Sequence, residues 1–192
     1  GGGVEKNLFL LANYFSNKLG NIKLITFDNS FSSNFNKKIQ IIYAKRKSSG
    51  ESKYIKYFFC LWLLIKILLK NKNILVFAFQ ANIYCIILSK LLNFDIVVRS
   101  NSAPSGWSKS YIKNLIFKIF FNYANEIIVN SHEFKKQLDK KFNTRCKVIY
   151  NPLNLKEIKR KSKEKISSKI FKKKGSLKFI NIARFTDQKD HI

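Results

Sequence analysis

The sequence has no methionine and only two histidines, and it sets 11 acidic residues against 37 basic ones. Its three cysteines, Cys60, Cys85 and Cys146, are far apart, odd in number and in no C-x-x-C pair. That pattern argues against a disulfide framework or a thiolate zinc site, and for a reducing compartment. Each cysteine reads as a small buried apolar residue. No Ser-His-acid set is evident around His132. Long apolar runs are missing too. The most hydrophobic stretch, Tyr57 to Leu69, has 13 residues and includes Lys66. A bilayer span needs roughly 20, so the stretch reads as a buried or interfacial helix. There is no G-x-G-x-x-G dinucleotide fingerprint, no Asp-x-Asp metal motif and no secretory signal. No RNA-recognition, KH or zinc-finger pattern occurs. Without methionine, and opening on glycines, the sequence reads as an internal piece of a longer protein.

What is present is positive charge, a net +26. Such a surplus attracts anions, whether nucleic acid, anionic lipid or phosphorylated substrates. Only five of the 37 basic residues are Arg. Lys, Asn, Ile and Phe are all plentiful, and their codons are rich in A and T, so genome composition accounts for part of the charge. A length of 192 residues suits one full domain with part of a second, and 46% hydrophobic residues can build a core.

Along the chain, a glycine run leads into an apolar stripe at Val4, Leu8, Leu11, Phe15 and Leu19, the spacing of a helix, stopped by Gly20. Strands are expected at 23–27, 38–43, 74–79, 94–98, 126–129 and 147–150. Helices are expected at 53–70, 80–92 and 108–123, with another after a Ser131 cap. Apolar strands that alternate with helices predict an α/β fold, a Rossmann-like, doubly wound parallel sheet with helices on both faces. Ligands in such sheets sit beyond the carboxyl ends of the strands. That rule selects Arg99, Asn101, Asn130 and Asn151. Residues 156–174, with ten basic and two acidic residues, form the main compositional break and read as a solvated linker.

The stretch from Leu177 to His191, LKFINIARFTDQKDH, reads as a buried strand, a polar loop and a helix start. A helix start offers free N–H groups and the positive end of a dipole to an anion. Arg184 and Lys189 add charge, and the Arg adds a planar fork for phosphate oxygens. Gly2 and Gly3 precede the first helix in a second turn suited to phosphate.

These motifs, GGGVE, EIIVNSHEFKKQL, VIYNPLN and INIARFTDQK, resemble in order and spacing those of the retaining glycosyltransferases of family 4, which have the two-domain GT-B architecture. The loop from Ala183 to Lys189 resembles that family's Gly-Arg-x-x-x-x-Lys segment, with Ala183 in place of the glycine. The resemblance implies a division into an acceptor-side domain (residues 1–155), a basic linker (156–176) and the first strand and loop of the nucleotide-sugar-binding domain (177–192). It implies that Arg184, Lys189, Gly2 and Gly3 bind the donor diphosphate, that Arg99 and Asn101 contact acceptor, and that the catalytic glutamates lie beyond Ile192. The implied enzyme is a hexosyltransferase of cell-surface polysaccharide or lipopolysaccharide synthesis. It would use a nucleotide-sugar and a glycan or lipid-linked acceptor, without metal or other cofactor, and would be cytoplasmic, peripheral at the inner face of the membrane. Lysines beside aromatics at Trp62 and Tyr111 fit such a face. The alternative is a non-enzymatic basic module on anionic membrane or nucleic acid. It leaves the glycine turn, the strand-end polar residues and the anion loop unexplained.

Overall fold

Apolar strands and three- to four-residue apolar spacing in the helices organise the chain. The computed structural model describes residues 2–44, 50–71, 73–101, 110–164, 177 and 179. The elements run α1 (Gly3–Lys18), β1 (Lys23–Thr26), β2 (Gln40–Tyr43), α2 (Lys53–Lys70), β3 (Val76–Ala78), α3 (Asn82–Leu92) and β4 (Ile96–Ser100). After them come α4 (Tyr111–Phe121), β5 (Glu126–Val129), α5 (His132–Phe142), β6 (Cys146–Val148) and α6 (Leu155–Lys161). The chain divides into two units, Gly1–Leu153 and Asn154–Ile192. Of these elements only α6 lies in the second unit, and its ion pairs Arg160–Glu164 and Lys161–Glu157 join residues one turn apart.

Local chemistry sets the helix ends. Ser52, Ser110 and Ser131 each accept a hydrogen bond from a first-turn N–H, Ser131 from Phe134 at 3.1 Å. These bonds satisfy donors that a helix start leaves without partners. Gly20, with φ +66°, follows α1, and the left-handed Asn93 and Asn143 close α3 and α5.

All paired strands are parallel. The strand order is β3-β4-β5-β6 in one sheet, and β1 pairs with β2 in a second. The fold is therefore α/β and Rossmann-like, as expected, although the expected single ladder comes in two hydrogen-bonded parts. Packing links them: Leu64 and Leu68 of α2 and Ile25 of β1 join the core beneath β3 to β6. On that face Ile96, Val98 and Val129 are fully buried, covered by Ile86 of α3, Phe121 of α4 and Leu138 of α5. The other face is reached by α1, whose Phe15 ring meets Phe77 edge-on at 5.9 Å. Toward β6 that face is more open, and Lys147 pairs there with Glu126. Helices thus reach both faces of the sheet, as expected, and the polar residues Glu126 and Lys147 lie on the face opposite the core.

The core is closed by aromatic packing. Phe121 and Phe142 stack with centroids 5.7 Å apart and planes at 4°, and Phe117 lies against both. Phe142 is fully buried. Phe142→Ala should cost about 3–5 kcal/mol of folding stability. Urea unfolding followed by circular dichroism checks this, and a shift in midpoint equivalent to less than about 1 kcal/mol would mean that the site collapses onto the cavity.

Candidate functional site

The strand exits of the four-stranded sheet are stitched together by side chains. After β3 the chain turns through Ala81, which holds left-handed backbone at φ 55°, ψ 26°. For an alanine that conformation is strained and persists only where its surroundings fix it. The turn sets Asn82 at the start of α3, where its Nδ2 donates to the Arg99 carbonyl at 2.9 Å. In the opposite direction Asn101 Nδ2 donates to the Phe79 carbonyl at 2.9 Å. The two bonds join the exits of β3 and β4 and satisfy main-chain groups that the ladder leaves open.

Arg99 bridges the next interval. Its side chain is buried, with the residue 1% exposed. Nη2 donates to the Ile149 carbonyl at 3.1 Å and to Asn151 Oδ1 at 2.9 Å. Since β5 lies between β4 and β6, the guanidinium reaches over the end of β5 to hold the chain leaving β6. Burial lowers the Arg99 pKa from its ordinary value, yet a guanidinium stays charged in proteins. A buried charge is tolerated when hydrogen bonds replace water, and here an amide and a carbonyl do so.

Three buried polar atoms around this edge have no hydrogen-bond partner among the described residues: Arg99 Nε, Asn82 Oδ1 and Asn130 Oδ1. Buried polar atoms are seldom left unpaired in native proteins. One donor and two acceptors suit a ligand whose hydroxyls both donate and accept.

No family model matches the chain. Over 110 residues it is 33% identical to an uncharacterized glycosyltransferase of Methanocaldococcus jannaschii, a stretch covering 53% of this chain and 27% of that relative. The chain is similar to a glycosyltransferase. It spans little more than a quarter of that relative's length.

The residues expected at the site fall into three places. Arg99, Asn101 and Asn151 share the strand-end network just described, and Asn130 directly follows β5. Gly2 caps α1 with extended backbone at φ −81°, and Gly3 begins the helix. A Cβ on Gly2 would lie 3.1 Å from Glu5 Oε2, while one on Gly3 would meet nothing within 4 Å among the described residues. Arg184 and Lys189 lie outside the described residues, as does the loop with Trp107. From the sequence Asn82 is one more residue of an expected helix, although an Asn directly after a strand exit is a usable signal.

Other chemistry can be placed. His132 is exposed and packs edge-on to Tyr150 at 6.1 Å. Among the described residues no group of three His, Cys, Asp or Glu converges as a metal site would require. Cys85 and Cys146 are buried and Cys60 half-buried, all as free thiols. Burial, aided by Asp28, pushes the Cys60 pKa to about 11. Burial, followed by Asp139, brings Cys146 to about 12, and burial also takes Cys85 to about 12. All three are therefore neutral at physiological pH, and the thiolate is the nucleophile.

Two measurements test this geometry. Arg99→Lys keeps the charge but loses the planar fork, and should lower folding stability by about 1.5–3 kcal/mol. An unchanged urea midpoint would discount the latch. Native protein treated with iodoacetamide at pH 8 should leave Cys85 and Cys146 unlabelled by mass spectrometry until denaturant is added, whereas rapid native labelling would contradict their burial.

Proposed function

We propose that the chain is the acceptor-side domain, with the start of the donor-side domain, of a retaining GT-B glycosyltransferase resembling family 4. The enzyme moves a hexosyl group from a nucleotide-sugar to a glycan or lipid-linked acceptor in cell-surface polysaccharide synthesis, lipopolysaccharide included. The observation that carries the reading is the cluster of polar side chains, Asn82, Arg99, Asn101 and Asn151, at the exits of parallel strands, the edge where sheets of this kind bind ligand. Likeness to a glycosyltransferase over about half the chain supports it.

In this reading the acceptor lies beyond β4 and β5. Arg99 and Asn101 stand at that edge, and the Arg99 bonds to Ile149 and Asn151 fix the chain beyond β6. Gly2 and Gly3 serve the donor. Neither takes a backbone conformation that only glycine allows, and the space above Gly3 is open, so their missing side chains are useful for the approach of a diphosphate. The sequence alone assigns Arg184 and Lys189 to that diphosphate, where two cations stabilise charge that builds on the leaving group. No metal is required in this reading. The enzyme works in the cytoplasm, peripheral at the inner face of the membrane.

Calorimetry on the full-length protein tests the donor half. Arg184→Ala should weaken nucleoside-diphosphate binding by about 1.5–3 kcal/mol. A full-length protein that binds no nucleoside diphosphate would overturn the reading, and unchanged affinity in the variant would remove Arg184 from the site. Arg99→Ala should lower sugar transfer to acceptor while donor affinity holds, and equal loss of both would leave Arg99 a structural role only.

A further inference from the structure

Surface helices ordinarily turn a polar face to water. α2, α3 and α4 do not. The outward row of α2 holds Tyr54, Phe58, Trp62 and Leu69, with Leu69 72% exposed. On α3, Leu91 is 74% exposed, and α4 shows an exposed row through Tyr111, Leu115 and Ile119. A groove of about 280 Å³ runs between α2 and α3, walled by apolar and aromatic side chains alone, Trp62 and Tyr84 among them. The three outer faces are continuous, since α3 packs on α4 and Lys90 of α3 lies 4.6 Å from the Tyr123 ring just past α4.

Charge decides what this surface fits. The three helices contain no acidic residue, and Lys53, Lys66, Lys70, Lys90, Lys113 and Lys118 are all exposed on them. Lys66 Nζ stands 3.4 Å from the Trp62 ring centroid, so the aromatic belt and the cations are interleaved. Among the described residues no helix is long and apolar enough to cross a membrane. Nucleic acid would use the lysines and leave Leu69, Leu91 and Ile112 in water. An anionic leaflet uses both, taking apolar side chains at the headgroup boundary and lysines at the lipid phosphates.

We propose that the α2–α4 layer is the face by which the protein lies on an anionic lipid leaflet, with the α2–α3 groove receiving an acyl chain. The proposal deepens the function proposed above, and rests on it only in treating this leaflet as the place where a lipid-linked acceptor is met.

Flotation of the full-length protein with vesicles tests it. Protein should float with vesicles containing phosphatidylglycerol, not with phosphatidylcholine alone, and salt should release it. Lys66→Glu with Lys113→Glu and Lys118→Glu should lower partitioning at least about 100-fold, at roughly fivefold per lysine lost. In a Trp107→Phe background, Trp62 emission should shift to the blue on anionic vesicles and be quenched by brominated acyl chains. Unmoved Trp62 emission, or flotation indifferent to the triple substitution, would overturn the face. So would RNA binding in place of vesicle binding, or self-association that the same substitutions abolish. Nucleoside-diphosphate binding by the triple variant separates the two ideas. If it is retained, loss of flotation speaks to the surface alone. A protein that floats but binds no nucleoside diphosphate would keep the face and lose the enzyme.

Discussion

Alternation along β4 divides the molecule. Ile96, Val98 and Ser100 face one way, Val97 and Arg99 the other, because successive strand residues point to opposite faces. The first set is buried under helices and supplies the centre of the core. The second carries a guanidinium out of the core and toward the strand exits. Parallel pairing then repeats the division across the sheet. Arg99 is level with Ile128, and Ile128 with Lys147, so one face stays apolar while the other acquires polar chemistry.

That arrangement has an energetic cost, and its distribution is informative. Among the described residues Arg99 has no carboxylate partner, the group that usually justifies such burial. Ala81 adds strained backbone in the neighbouring turn. Among the described residues, atoms of Asn82, Asn130 and Arg99 have no hydrogen-bond partner. Each would be a small defect in a purely structural element. Together at the carboxyl edge of one parallel sheet, they form the pattern expected where stability is traded for binding. Stability comes from elsewhere, from the Phe117, Phe121 and Phe142 cluster and from capped helix ends.

Much of this was legible in the sequence, for physical reasons that differ by element. The helix at 53–70 and the strand at 126–129 were read to their ends, because a Ser cap and a change of period mark both. β4 was read short at Val98, since a charged Arg looks like a strand terminus. The ladder in fact runs through Arg99 and Ser100, and only pairing with Ile128 and Val129 reveals it. A strand-end position for Arg99 is legible in the sequence, but its bond to Asn151, 52 residues away, is not. Long-range bonds of that kind leave no local trace, and neither does the left-handed Ala81, where sequence would favour Gly or Asn.

Base composition explains how many lysines the chain has, and it cannot explain why three neighbouring helices carry lysines and no acid. If codon bias alone scattered Lys over the surface, its neighbours would be similar on every helix. On α5, Lys135 pairs with Asp139 one turn away, and α6 forms two such pairs, the usual arrangement of a solvated helix. α2, α3 and α4 carry lysines of the same origin with no acid in any of the three. Their intervening outward positions are Phe, Trp, Leu, Ile and Tyr, although the rest of the surface shows that polar residues were available. Bias toward A- and T-rich codons favours Asn as readily as Ile or Phe, yet within α2, α3 and α4 Asn occurs only at Asn82 and Asn114. The pattern sets the helices that cover the core face apart from α1 across the sheet, whose first turn holds Glu5.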